Sequence, residues 1–221
     1  MPEPQDPPLV PPQLRAAIAH DLTPVRPLPR PALRAAWVAP LGVLLLGAAA
    51  AFFGVRPDAA RLGFWLTWGA SAAEMTLGLA LVAAALREAI PGTTLSHRAL
   101  GYALAGALGS VVVVTLITWR TSGLYHIMRG REWFIWRICF GATLASAIPP
   151  LAVSAWLVAR AFPLRPAVAG LLYGLGAGLM ADAGWRIFCH FSDPSHVFGA
   201  HIAAVVVSGL IGSLVAERLS R

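Results

Sequence analysis

The sequence predicts an all-α, polytopic membrane protein: six transmembrane helices in one bundle, preceded by a Pro-rich cytoplasmic N-terminal tail. Three observations carry this. The 221 residues are 57% hydrophobic and 12% charged, and their mean hydropathy of +0.69 exceeds what the core of a soluble domain requires. Apolar runs of bilayer length follow one another, a span needing roughly 20 residues at about 1.5 Å rise each. All 17 basic residues are Arg, and they sit mainly between those runs. In that position they report topology and headgroup contact, so the net charge of +7 is not read as a surface for direct nucleic-acid binding. With two cysteines the chain has no disulfide scaffold, only one bridge or one shared metal to offer.

Residues 1–32 form the tail and hold ten of the 18 prolines, a composition that favours extended chain. Within it, residues 13–22 lack Pro and Gly and space Leu14, Ile18 and Leu22 four apart. That is one apolar stripe on a short amphipathic helix. About three turns are marginal alone in water, so this helix is expected to fold against a partner or the membrane surface, the alternative being an unstructured tail. The apolar run starts too late, and is followed by too many others, for a cleaved signal peptide.

Residues 33–221 form the membrane domain, with spans expected at about 33–55, 62–86, 99–119, 138–162, 167–188 and 197–216. Arg56-Pro57-Asp58 stops the first, Trp65 and Trp68 open the second at the interface, and Pro91-Gly92 turns the chain into the third. The connection 120–137 mixes Tyr125, Trp133, Phe134 and Trp136 with four Arg, which suits a segment at headgroup level. Pro149-Pro150 should kink or break the fourth span. Six spans put both termini on one side, and ten Arg on that side against seven on the other place the termini in the cytoplasm.

Chemistry concentrates between Trp185 and His201, which holds one cysteine and three of the six histidines. Cys139 lies 23 residues before Phe162 and Cys189 lies 23 residues after Pro166, so antiparallel neighbours would bring the sulfurs to one depth, near the non-cytoplasmic face. Cys139, Cys189, His190 and His201, with His196 between, make a plausible site for zinc or another thiophilic metal ion, or a redox-sensitive thiol pair. The bland reading is two cysteines packed as small apolar residues.

Glu74 in the second span and Asp182 in the fifth are costly in a bilayer unless partnered. They would serve a small transporter or ion-conducting protein, or simply be a hydrogen-bonded Glu and an Asp182–Arg186 pair. Gly170, Gly174 and Gly178 with Gly176, and Ser208 with Gly212, read as helix contact faces. No nucleophile triad or paired-carboxylate arrangement points to an enzyme.

The tail ending Asp21-Leu22-Thr23-Pro24-Val25-Arg26-Pro27-Leu28-Pro29, the Gly54-Val55-Arg56-Pro57-Asp58 stretch, Cys139 followed by Ile148-Pro149-Pro150, Pro163-Leu164-Arg165-Pro166, Cys189-His190 and His201 occur in this order. Together they resemble the NrsF family of six-span inner-membrane anti-sigma factors. The resemblance implies a bacterial inner-membrane protein whose tail helps hold an extracytoplasmic-function sigma factor. Leu14, Ile18, Leu22 and Arg26 are then the expected partner-binding residues. It further implies that Cys139 and Cys189 sense metal or oxidative stress, with His190 and His201 as co-ligands. The long proline-rich start and the aromatic segment before Cys139 depart from the family pattern.

Overall fold

The computed structural model describes residues 11–22, 27–122 and 132–220. A short helix α1 (Pro12–Asp21) begins with Pro12 at its first position, where a missing N–H costs nothing and the fixed φ suits a helix. None of its residues is buried, and Leu14, Ile18 and Leu22 are 51, 49 and 70% exposed. Arg26 lies outside the described residues.

Six helices long and apolar enough to cross a membrane follow: α2 (Pro31–Phe53), α3 (Ala59–Glu88), α4 (His97–Ser122), α5 (Trp133–Ala159), α6 (Pro166–Phe188) and α7 (Pro194–Leu219). Proline at the first position also starts α2, α6 and α7, and the Asp193 carboxylate accepts from the Ser195 N–H at the start of α7. Gly54, at φ 84°, ends α2 in a conformation that side chains resist. Large apolar side chains such as Val43, Leu44, Val113, Leu116, Ile148 and Leu214 lie exposed on the helix exteriors, the side a bilayer would cover.

The core is α6, whose residues are mostly buried, including Tyr173, Leu172 and Met180. Its glycines explain how neighbours approach so closely. A Cβ at Gly170 or Gly174 would run into the α7 backbone at Gly212 or Ser208, and one at Gly78 of α3 would sit 2.6 Å from the Gly176 carbonyl oxygen. Hence α6 is held by α7 on one side and α3 on another through backbone contact, the packing that small residues at four-residue spacing allow. Helix α4 is the least embedded, burying mainly Ala107, Val111, Thr115, Thr118 and Ser122.

Two expectations change. The fourth span does not break: α5 stays helical through Pro149 and Pro150, although each proline deprives the carbonyl four residues earlier of its donor. The interfacial connection is shorter than 120–137, because Arg120 to Ser122 belong to α4 and residues from Trp133 onward to α5. Its middle, 123–131, lies outside the described residues.

Candidate metal or redox centre

Cys139, Cys189, His196 and His201 converge at the end of the bundle opposite the start of α2 and the end of α7, each offering a donor atom within 4.8 Å of every other. Cys139 stands about two turns into α5, and Cys189 is the residue at which the α6 chain turns extended (φ −69°, ψ 115°). His196 closes the first turn of α7. His201 sits in a wide π-type turn, Val197–Ile202, which rotates the helix face inward relative to an ordinary α-turn. The Trp136 ring presses on Gly199, where a Cβ would collide with it, and stands edge-on to His196 at 6.3 Å.

The cluster is buried. Cys189, His196 and His201 are 6, 1 and 4% exposed, while Cys139 is half-buried and both cysteines are free thiols. Cys189 Sγ lies 3.6 Å from His196 Nε2, a contact consistent with a weak S–H hydrogen bond. Its interaction with Cys139 and then its burial push the Cys189 thiol above its ordinary pKa, so the sulfur carries its proton near neutral pH. His196 Nδ1 has no hydrogen-bond partner among the described residues.

Behind this group runs a buried polar chain. His201 Nδ1 lies 2.6 Å from Asp182 Oδ1, which fixes the ring and leaves Nε2 as its remaining donor atom. Arg186 Nε donates to Glu74 Oε2 at 2.8 Å, and its Nη2 reaches Asp182 Oδ2 at 3.9 Å. The expected Asp182–Arg186 pair is therefore the longest link of a four-residue network, with His201 the close partner of Asp182 and Glu74 that of Arg186. Residues 182, 186 and 189 share one face of α6, as their spacing requires.

A second set ties the rim together. The Arg56 backbone N–H donates to the Ile187 carbonyl at 2.8 Å, and its guanidinium holds Asp58 at 2.6 and 2.8 Å while Nη2 meets Ser192 at 2.5 Å. The α2–α3 turn thus fastens the segment that follows Cys189. Beside it a small pocket is lined by Arg56, Thr115, Thr118, Cys189, Ser192 and His201. The Thr115 and Thr118 hydroxyls have no partner among the described residues. Buried polar groups of this kind favour water or an ion over an apolar ligand.

Of the expected site residues, Cys139, Cys189 and His201 are brought together, and His190 is not. Extended backbone at Cys189 turns the next side chain away, and the His190 ring stacks on Phe191 with centroids 4.2 Å apart. His196 takes its place because the turn at Asp193 to His196 folds the chain back over Cys189. The available signal was Asp193-Pro194-Ser195, an N-cap followed by proline at the first helical position, which puts His196 one turn into a helix aimed at the cluster. Arg56, Asp58 and Ser192 were not expected at the site.

Two thiols and two imidazoles form a donor set suited to tetrahedral zinc or another soft divalent ion. The carboxylate on His201 is the usual support of a metal-bound histidine. The same sulfurs also fit a thiol pair that closes on oxidation.

A family model described as NrsF, negative regulator of sigma F, matches residues 18–221. No curated protein and no solved structure matches the chain.

Proposed function

This chain belongs to the NrsF family, negative regulators of sigma F, and we propose that it is a bacterial inner-membrane anti-sigma factor with both termini in the cytoplasm. In this reading the tail, with Leu14, Ile18, Leu22 and Arg26, holds an extracytoplasmic-function sigma factor. The Cys139, Cys189, His196 and His201 cluster sets whether that hold persists. The observation that carries the sensing part is the convergence of four soft donor atoms within 4.8 Å.

A divalent thiophilic ion would be held by the two sulfurs as thiolates and by one nitrogen of each imidazole, releasing the protons those four atoms carry. The two thiolates offset the charge of the ion, so a buried location tolerates it. A peroxide would instead take two electrons from the pair: the sulfurs join, one peroxide oxygen leaves as water, and the other leaves as the alcohol or a second water. The ion would draw α5, α6 and α7 together at one end, and the disulfide would draw α5 and the end of α6 together. Helix α6 is gripped by α3 and α7 through backbone contacts at Gly78, Gly174 and Gly176. A shift of its end is therefore passed along its axis rather than absorbed by flexible side chains.

The reading is tested by retention of the sigma factor on the detergent-solubilised full chain. The apo protein retains it, one equivalent of zinc or cadmium releases it, and both single cysteine-to-serine variants retain it with metal present. Equal release from the serine variants, or retention unchanged after deletion of residues 1–30, contradicts it.

A further inference from the structure

At the other end of the bundle, Arg34 is the largest fully buried side chain among the described residues and is only 2% exposed. Its Nη2 donates to the Leu157 carbonyl in the last turn of α5, and its Nη1 has no partner among the described residues. Arg160, just beyond the end of α5, stacks its guanidinium over Trp156 at 4.9 Å and adds its charge to that felt by Arg34. Leu28, Pro29, Arg34, Trp37, Leu157 and Arg160 line an open pocket. Two cations and no acid line it, so neither guanidinium finds a counter-charge there. A buried cation in this condition is costly unless an anion completes it.

We propose that this pocket binds a phosphate group, supplied by an anionic phospholipid of the leaflet on the side of the termini. Depth favours that source: Arg34 lies in the first turn of α2 and Leu157 in the last turn of α5, where headgroups sit. The lining favours it too, since Leu28, Pro29, Trp37 and Leu157 give acyl and glycerol carbons an apolar wall beneath the two guanidiniums. Planar donors of this type suit phosphate oxygens. Two positive charges select an anionic headgroup over a zwitterionic one. A bound lipid would pin Leu28 and Pro29, where the tail meets α2, and so fix where the tail leaves the membrane.

Native mass spectrometry of the delipidated full chain tests this, with phosphatidylglycerol, phosphatidylcholine or inorganic phosphate added separately. One phosphatidylglycerol is expected to be retained in preference to phosphatidylcholine. Arg34→Gln and Arg160→Gln should each weaken it about tenfold, the loss of a charge-assisted contact. Arg98→Gln, an exposed arginine at the same end outside the pocket, should leave it unchanged. Where Arg34→Gln misfolds, the exposed Arg160 variant decides alone. An equal loss in Arg98→Gln overturns the site in favour of diffuse charge. Inorganic phosphate held with the same arginine dependence and not displaced by phosphatidylglycerol overturns the lipid source. Lack of preference for phosphatidylglycerol, with sigma-factor retention lost in Arg160→Gln, shows that the pocket takes an acidic side chain of the partner protein instead.

Discussion

Two buried carboxylates on α3, Glu88 in its last turn and Glu74 at its middle, are treated differently. Glu88 is fully satisfied: Arg165 Nε donates to Oε1 at 2.5 Å, the Leu95 N–H donates to Oε2 at 2.7 Å, and Arg165 Nη2 returns to the Leu95 carbonyl at 2.8 Å. This closed clasp joins α3, the α3–α4 turn and the start of α6. Glu74 has Arg186 on one oxygen and no donor on the other among the described residues, and its network ends at His201 beside two thiols. A closed set of polar groups holds structure; an open set that ends in soft donor atoms is where a ligand completes the valences.

The comparison separates stability from binding. Cys139→Ser and Cys189→Ser should each abolish zinc or cadmium binding, by more than about a hundredfold, because each supplies a ligand of one shared site. Neither should affect the clasp. Arg165→Ala, which strands buried Glu88, should lower stability by about 3 kcal/mol in detergent unfolding and leave metal affinity intact. Should it abolish binding as well, the two polar sets are not separate. Asp182→Asn removes the support behind His201 and should weaken metal binding about tenfold with little change in unfolding. The smallest effect belongs to His190→Ala, which should leave metal affinity unchanged where His196→Ala lowers it. Equal losses would put His190 back among the ligands.

A pH series sharpens the same contrast. The Cys189 thiol is held above its ordinary pKa by Cys139 and by burial, so metal must displace a bound proton throughout the neutral range. Apparent affinity should therefore rise with pH, by up to about tenfold per unit for each proton released, up to the thiol pKa. A flat titration between pH 6 and 8 would mean that the thiols are not ligands.

Much of this was legible in the chain. The six apolar runs follow from bilayer thickness, and the equal counts from the Pro163 to Pro166 turn brought Cys139 and Cys189 to one depth because both helices are regular. That argument works only along a helix. Beyond Cys189 the chain is not helical until Pro194, so adjacency put His190 forward where the fold brings His196 to the cluster. At Pro149-Pro150, flanked by long apolar helix, two prolines remove two hydrogen bonds without ending α5, so a break did not follow from them. The partners of Arg186 and Asp182 were out of reach, since Glu74 and His201 come from other helices and only the glycine contacts of α6 decide which faces meet.

The account rests on one centre made by four residues, and equilibrium cadmium titration of the purified full chain tests it most directly. One ion should bind per chain, Cys139→Ser, Cys189→Ser and the double variant should lose it to the same extent, and His190→Ala should retain it. Independent, additive losses in the two cysteine variants, or one ion still bound by the double variant, would contradict the shared centre.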